Sequence, residues 1–366
     1  MAAAGGMPAQ MPAADPNYAA WSSSCKSIAF FNHKGGVAKT SSVFAVGEAM
    51  AARGAKVLMI DGDVQRNLTE MALHNMLARS GHDLDTFIAT RRSPCLLGKA
   101  LGKVMDFSGM LPVDAVRVAT FPRAGGAAGE LHLVMGDDEL TQFEERLTQN
   151  VGVMFNPGMQ DRRDYPGAPY HLALMTAHML SADFVLWDLS PNISTLNRLV
   201  LACSDYFVMP CFPDYYTDRA ISAMTRKIIE DNVETGFVKK AAYLRGQQVA
   251  ALPGVQPCRY VLPVPKPTFL GIFVTRYNLT SKGRNAPGGP ARAIEAVRAT
   301  CPCGGTATLT ASSPPFTLFP ITPTIFTAVD AQGARLLSGA AHCAECGACG
   351  RFHGAGRRSP RVSRAH

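Results

Sequence analysis

His33-Lys34-Gly35-Gly36-Val37-Ala38-Lys39-Thr40-Ser41 is the stretch on which the reading of this chain turns. It follows a short apolar run, Ser27–Asn32 (SIAFFN), and precedes a helical pattern from about Thr40 to Arg53 that Gly54 stops. Small residues between a buried strand and a helix let successive backbone N–H groups turn inward as an anion nest, and the helix presents its positive N-terminus to the same point. Lys39 adds a point charge suited to β and γ phosphates, and the Thr40 hydroxyl is a hard oxygen ligand for magnesium. The expected nucleotide contacts are Lys34, Gly35, Gly36, Val37, Ala38, Lys39, Thr40 and Ser41.

Outward from this loop, apolar runs alternate with helical segments. Val57–Ile60 ends at Asp61, and Phe184–Trp187 leads straight into Asp188. Leu131–Met135 precedes a helical stretch from Asp137 to about Leu147, Tyr206–Met209 ends at Pro210, and Phe269–Thr275 is the last clear strand. Strands this apolar on both faces predict an α/β fold, a mainly parallel sheet covered by helices on both faces. Acids at the carboxyl ends of such strands lie where α/β sheets bind ligands. Residues 70–130 contain helical pieces and a Gly/Ala-rich turn, Ala124–Gly129, and read as an insertion of uncertain form. The expected division is a disordered leader over 1–25, a nucleotide-binding domain over 26–300 and a Cys/Arg-rich tail over 301–366.

Composition narrows the class. The chain is 47% hydrophobic and 17% charged, which suits a large buried core. No run approaches the roughly 18 apolar residues of a spanning helix, and the first 20 residues lack the basic start and apolar run of a secretory signal. Cysteines 25, 95, 203, 211 and 258 are scattered, as reduced thiols of a cytoplasmic protein would be. The net charge of +8 permits contact with nucleic acid without requiring it. In the tail, Cys343, Cys346 and Cys349, with Cys301, Cys303, His342 and His353, raise a zinc site, against which stands the long irregular gap between them. A disordered basic end or an aberrant tail explains the same composition.

The pattern K-G-G-x-x-K-T, with its extra Lys34, resembles the deviant Walker A group of P-loop ATPases that includes ParA, MinD and the nitrogenase iron protein. Asp61-Gly62-Asp63-Val64-Gln65-Arg66-Asn67 is similar to that group's second motif, and the segment ending at Asp188 to its Walker B strand. The similarity runs from about residue 26 to about residue 298. It implies ATP and Mg2+ as cofactors, with Lys34, Lys39 and Asp63 catalytic and Thr40, Asp61 and Asp188 around the metal. Lys34 would reach the nucleotide of a partner protomer, Asp63 would position the attacking water, and Asp188 would hold magnesium through water. Pro213 and Asp214 fall where such proteins line the adenine pocket, although a simple Pro-turn reads equally well there.

Several positions depart from the group. Ala38 departs from the group's commonest form, Val64 replaces a common Pro and Arg66 a common Gly; His33 and Ala38 stand where the ordinary G-x-x-x-x-G-K-S/T pattern has its glycines. The iron–sulfur branch is disfavoured, because Cys95 lacks a second suitably placed cysteine. The resemblance implies an ATP-dependent homodimer that partitions DNA or positions a cargo, with slow hydrolysis stimulated by an activating partner protein and no membrane insertion. The alternatives are an ATPase that regulates assembly of a protein complex without nucleic acid, and a nucleotide-binding module weakened in catalysis.

Overall fold

A computed structural model describes residues 25–90, 96–105, 113–123, 125–153, 160–211, 236–250 and 257–274, together with Met224, Ile228 and three two-residue strands nearer the end. Pro213, Asp214 and the cysteines and histidines of the tail lie outside the described residues.

Ten strands and eight α-helices are described. The strands are β1 (Lys26–Phe30), β2 (Lys56–Gly62), β3 (Val116–Phe121), β4 (Gly129–Val134), β5 (Phe184–Leu189), β6 (Tyr206–Cys211), β7 (Thr268–Val274), β8 (Thr317–Leu318), β9 (Ala328–Val329) and β10 (Arg335–Leu336). The helices are α1 (Lys39–Ala51), α2 (Asn67–Ser80), α3 (Leu84–Ala89), α4 (Leu97–Met105), α5 (Glu139–Val153), α6 (Ala168–Leu180), α7 (Thr195–Cys203) and α8 (Phe237–Val249).

The main sheet runs β3-β4-β2-β5-β1-β6-β7-β8. Its six central strands are parallel, while β3 and β8 pair antiparallel at the two edges. This is the mainly parallel, helix-covered sheet that the apolar runs predict. Residues 70–130, expected as an insertion, contain most of α2, then α3, α4 and the edge strand β3. Among the described residues, no helix is long and apolar enough to cross a membrane.

The sheet's pleat fixes which side chains share a face. Gly47 of α1 lies against the side chains of Met59, Leu131 and Leu186, so these residues of β2, β4 and β5 face α1. Side chains alternate along a strand, which puts Asp61, two residues after Met59, and Asp188, two after Leu186, on that same face. The parallel register sets Asp61 beside Asp188, and Phe30, the last residue of β1, on Asp188's other side. The apolar strands thus deliver two carboxylates to one place, just beneath the loop that links β1 to α1.

Close packing depends on glycine at a few points. A side chain at Gly129 would strike the Ala51 carbonyl at 1.8 Å, where α1 ends against the start of β4. At Gly98 it would meet Asp137 Oδ1 at 2.0 Å and the Leu140 nitrogen at 2.2 Å. The carboxylate of Asp137 accepts hydrogen bonds from Lys99 N and Leu140 N, serving the amino ends of both α4 and α5. Burial pushes the Asp137 carboxyl up to about 6, against the pull of those two bonds.

A candidate phosphate and magnesium site at the strand ends

The β1–α1 loop is anchored from below. Buried Asn32 donates to the Pro210 carbonyl at 2.9 Å, and its Oδ1 accepts from Lys34 N at 3.0 Å, tying the loop to β6. Two residues in the loop are left-handed, Gly36 (φ 71°) and Ala38 (φ 58°, ψ 39°). Left-handed backbone brings successive N–H groups to one side, the geometry of an anion nest. For Ala38 it carries a steric cost that glycine would not.

Ala38 is also the N-cap of α1. The helix has no side-chain cap and no acid in its first turn. Its amino end is therefore available to an anion, with the helix dipole favouring negative charge there. Lys39 opens the helix and is buried, at 8% exposure. Burial lowers its pKa, while Asp188 and Asp63 pull the other way. A lysine held in a dry site beside two carboxylates and a helix N-terminus is suited to bind a polyanion.

Of the acids, Asp188 is the least satisfied. It is 1% exposed, and its Oδ2 finds no hydrogen-bond partner among the described residues. Burial first, and then the nearby charge of Asp61, push its carboxyl up to about 8; a hydrogen bond from Thr40 and the charge of Lys39 oppose this. A buried carboxylate oxygen without a donor is costly unless a cation compensates it. Together with the Thr40 hydroxyl it supplies hard oxygen donors, and these residues fit magnesium.

Asp61 is engaged differently. Its Oδ2 accepts from the Thr69 amide at 2.8 Å and from the Thr69 hydroxyl at 2.7 Å, and its Oδ1 from Asp63 N at 3.2 Å. Thr69 lies in the first turn of α2, whose own N-cap, Arg66, offers no side-chain cap. Asp61 therefore caps α2 from the neighbouring strand, and Thr69 in turn accepts from Gly136 N at 3.0 Å. Burial raises the Asp61 carboxyl to about 6 in spite of these bonds. Three donors thus satisfy the oxygens of Asp61, whereas one oxygen of Asp188 has no partner among the described residues.

Asp63 is nearly buried, and its Oδ1 accepts from Gln65 N at 3.0 Å. Arg66 is left-handed (φ 56°), the conformation for which glycine is best suited. The structure thus brings Lys39, Thr40, Asp61, Asp63 and Asp188 together at the carboxyl ends of the central strands. Lys34, Gly35, Gly36, Val37 and Ala38 form the adjoining loop, and Ser41 follows in the first turn of α1. Lys34 is half-buried.

Sequence reasoning missed two participants. Thr69 lies two residues past the second motif and eight after Asp61, and its place in the first turn of a helix was the available signal. Gly136 carries no signature of a site role. A side chain at Gly136 would meet Asp63 O at 3.0 Å and Asp61 Cγ at 3.1 Å, so the residue allows β4 to pass close to both acids.

Residues 25–96 match a family model described as an AAA domain, and this segment contains both the loop and the Asp61–Asp63 motif. The chain has a P-loop fold of the ParA/MinD type. An uncharacterized protein of Mycobacterium tuberculosis strain H37Rv is 25% identical over 232 residues, 60% of this chain. The chain spans 58% of the length of the curated relatives it matches. Among solved structures, a protein from Corynebacterium diphtheriae has a TM-score of 0.50 at 20% identity, covering 75% of this chain and 88% of that one. An ATP complex of McdA from Cyanothece has a TM-score of 0.46 at 17% identity, covering 76% and 80%. In this fold, the strand order β2-β5-β1 brings the β1–α1 loop and the strand-end acids to the same carboxyl end of the sheet.

Proposed function

We propose that the chain is a Mg2+-dependent ATPase that works as an ATP-switched dimer, in the manner of ParA. The observation that carries this reading is the unpartnered Asp188 oxygen, buried beside Thr40 and Lys39 at the uncapped amino end of α1. Thr40 and Asp188 would hold magnesium, with Asp61 behind them; when bound, the metal supplies charge neutralisation for the β and γ phosphates. Lys39 and the left-handed loop would bind the phosphates. Asp63 would orient a water and accept its proton as the water oxygen bonds to the γ phosphorus and the bond to the ADP oxygen breaks. Lys34, on the outer part of the loop, would complete the site of a partner protomer. Its role rests on the resemblance of the K-G-G-x-x-K-T motif.

The cargo proposed is DNA, bound without sequence preference by the ATP-bound dimer, with hydrolysis slow and raised by a partner protein. Light scattering with ATP, ADP and no nucleotide, on wild type and Lys34→Ala, tests the switch. A dimer that needs both ATP and Lys34 supports it; a monomer under every condition refutes it. DNA retention that requires ATP and weakens steeply with salt supports the partition role. A nucleotide-dependent dimer that ignores DNA transfers the reading to an ATPase acting on a protein complex.

A further inference from the structure

The segment leaving Asp188 is held by side chains that belong to none of the nucleotide motifs. The Asn197 amide nitrogen lies within hydrogen-bond distance of the Ser190 carbonyl (3.0 Å), the Ser190 hydroxyl (2.8 Å), the Asn192 carbonyl (2.9 Å) and Asn192 Oδ1 (2.8 Å). Its two protons are thus shared among four acceptors that all lie in the loop directly after Asp188. Asn192 Oδ1 also accepts from the Ser190 hydroxyl at 2.9 Å and from Ser194 N at 3.3 Å. The loop is a closed polar knot, and α7 grows out of it with Ser194 as its N-cap.

Two bonds tie this knot to α5. The Ser194 hydroxyl donates to Glu144 Oε1 at 2.6 Å while accepting from Asn197 N at 3.2 Å. One turn further along α5, Thr148 and Thr195 share a hydroxyl hydrogen bond at 2.8 Å. The Glu144 carboxylate is half-buried, and after burial itself the next force raising its proton affinity is the negative charge of Asp63. Glu144 thus holds the loop that follows Asp188 by a direct hydrogen bond, and feels the charge of Asp63.

We infer that Glu144 is a positioning residue for hydrolysis: by accepting the Ser194 hydroxyl it latches the Ser190–Ser194 loop, which follows Asp188, to α5. The inference deepens the proposed ATPase reading and rests on it. The loop begins one residue beyond the end of β5, so any displacement of Ser190 is transmitted to Asp188, and α5 becomes the element that senses it.

The test compares Glu144→Ala with Glu144→Gln in the full chain. The glutamine keeps an oxygen in place to accept from Ser194, whereas alanine removes the latch. For alanine, kcat for ATP hydrolysis should fall by about tenfold, the size of effect expected from supporting groups around a metal site, with KM unchanged. Glutamine should restore kcat. Hydrogen exchange of the backbone amides over residues 190–197 should quicken in the alanine variant and match wild type in the glutamine variant. Wild-type kcat in the alanine variant, or equal loss in both variants, overturns the inference. If the wild-type chain neither binds nor hydrolyses ATP, the ATPase reading fails by itself, and the exchange comparison still decides the latch: unchanged exchange over 190–197 in Glu144→Ala refutes it.

Discussion

Replacing Ala38 by glycine should stabilise the nucleotide-free protein, although the residue lies in the loop proposed to bind phosphate. Ala38 has φ 58° and ψ 39°. A residue with a Cβ pays about 1–2 kcal/mol in that conformation. Glycine removes the clash but raises the entropy of the unfolded chain, which offsets roughly 0.4–1 kcal/mol of the gain. The net expectation is a stabilisation of roughly 0.5–1 kcal/mol, or a rise in melting temperature of about 1–3 °C. Gly36→Ala is the mirror experiment. Gly36 has φ 71°, and a Cβ there would meet nothing within 4 Å, so its cost is that of backbone alone. It should destabilise by roughly 0.5–1 kcal/mol, from the same two contributions with the signs exchanged. Both variants are measured by urea and thermal unfolding without nucleotide. If Ala38→Gly lowers stability while Gly36→Ala raises it, the left-handed loop is wrong and the anion-nest argument falls with it.

Gly98→Ala should cost about 2–3 kcal/mol, because the added carbon lands on Asp137 Oδ1 and Leu140 N and must part α4 from α5; urea unfolding measures it, and a loss under about 0.5 kcal/mol would contradict that packing. The Asp137 carboxyl, raised to about 6 in the fold, keeps its proton where the unfolded chain has already released one near pH 4. The folded state then binds more protons between those two values, so wild-type stability should fall relative to Asp137→Asn as pH rises from about 4 to about 6, by at most about 1.4 kcal/mol per unit, and run parallel above that window. Urea midpoints across pH check it, and parallel curves throughout would show that the carboxyl is not raised. ATP with Mg2+ should raise the melting temperature of wild type, a chelator should remove the metal-dependent part, and Asp188→Asn should show no difference with or without chelator; a full chelator-sensitive shift in that variant would exclude Asp188 as a metal ligand.

The sequence by itself determined the parts of this protein that are local. The β1–loop–α1 unit, the strands ending at Asp61 and Asp188 and the largely parallel sheet were readable because burial on both faces leaves continuous apolar runs, and phosphate loops need small residues at fixed spacing. Tertiary structure decided what depends on residues distant in the chain. That Asp61 and Asp188 stand side by side follows from the pairing of β2 with β5, a register written in neither strand. That Asp61 caps α2 through Thr69, while Asp188 keeps an unpartnered oxygen, separates two acids that local sequence presents as equals. The placing of β3 as an antiparallel edge strand, within residues that read as an insertion of helical pieces and uncertain form, follows from its pairing with β4. Glu144 and Ser194 are 50 positions apart and carry no motif. A glutamate on a helix and a serine before one occur in most α/β chains, and only the packing of α5 against α7 turns this pair into a hydrogen bond beside the site. Periodicity records which face of an element is buried; it does not record which polar group that face will meet.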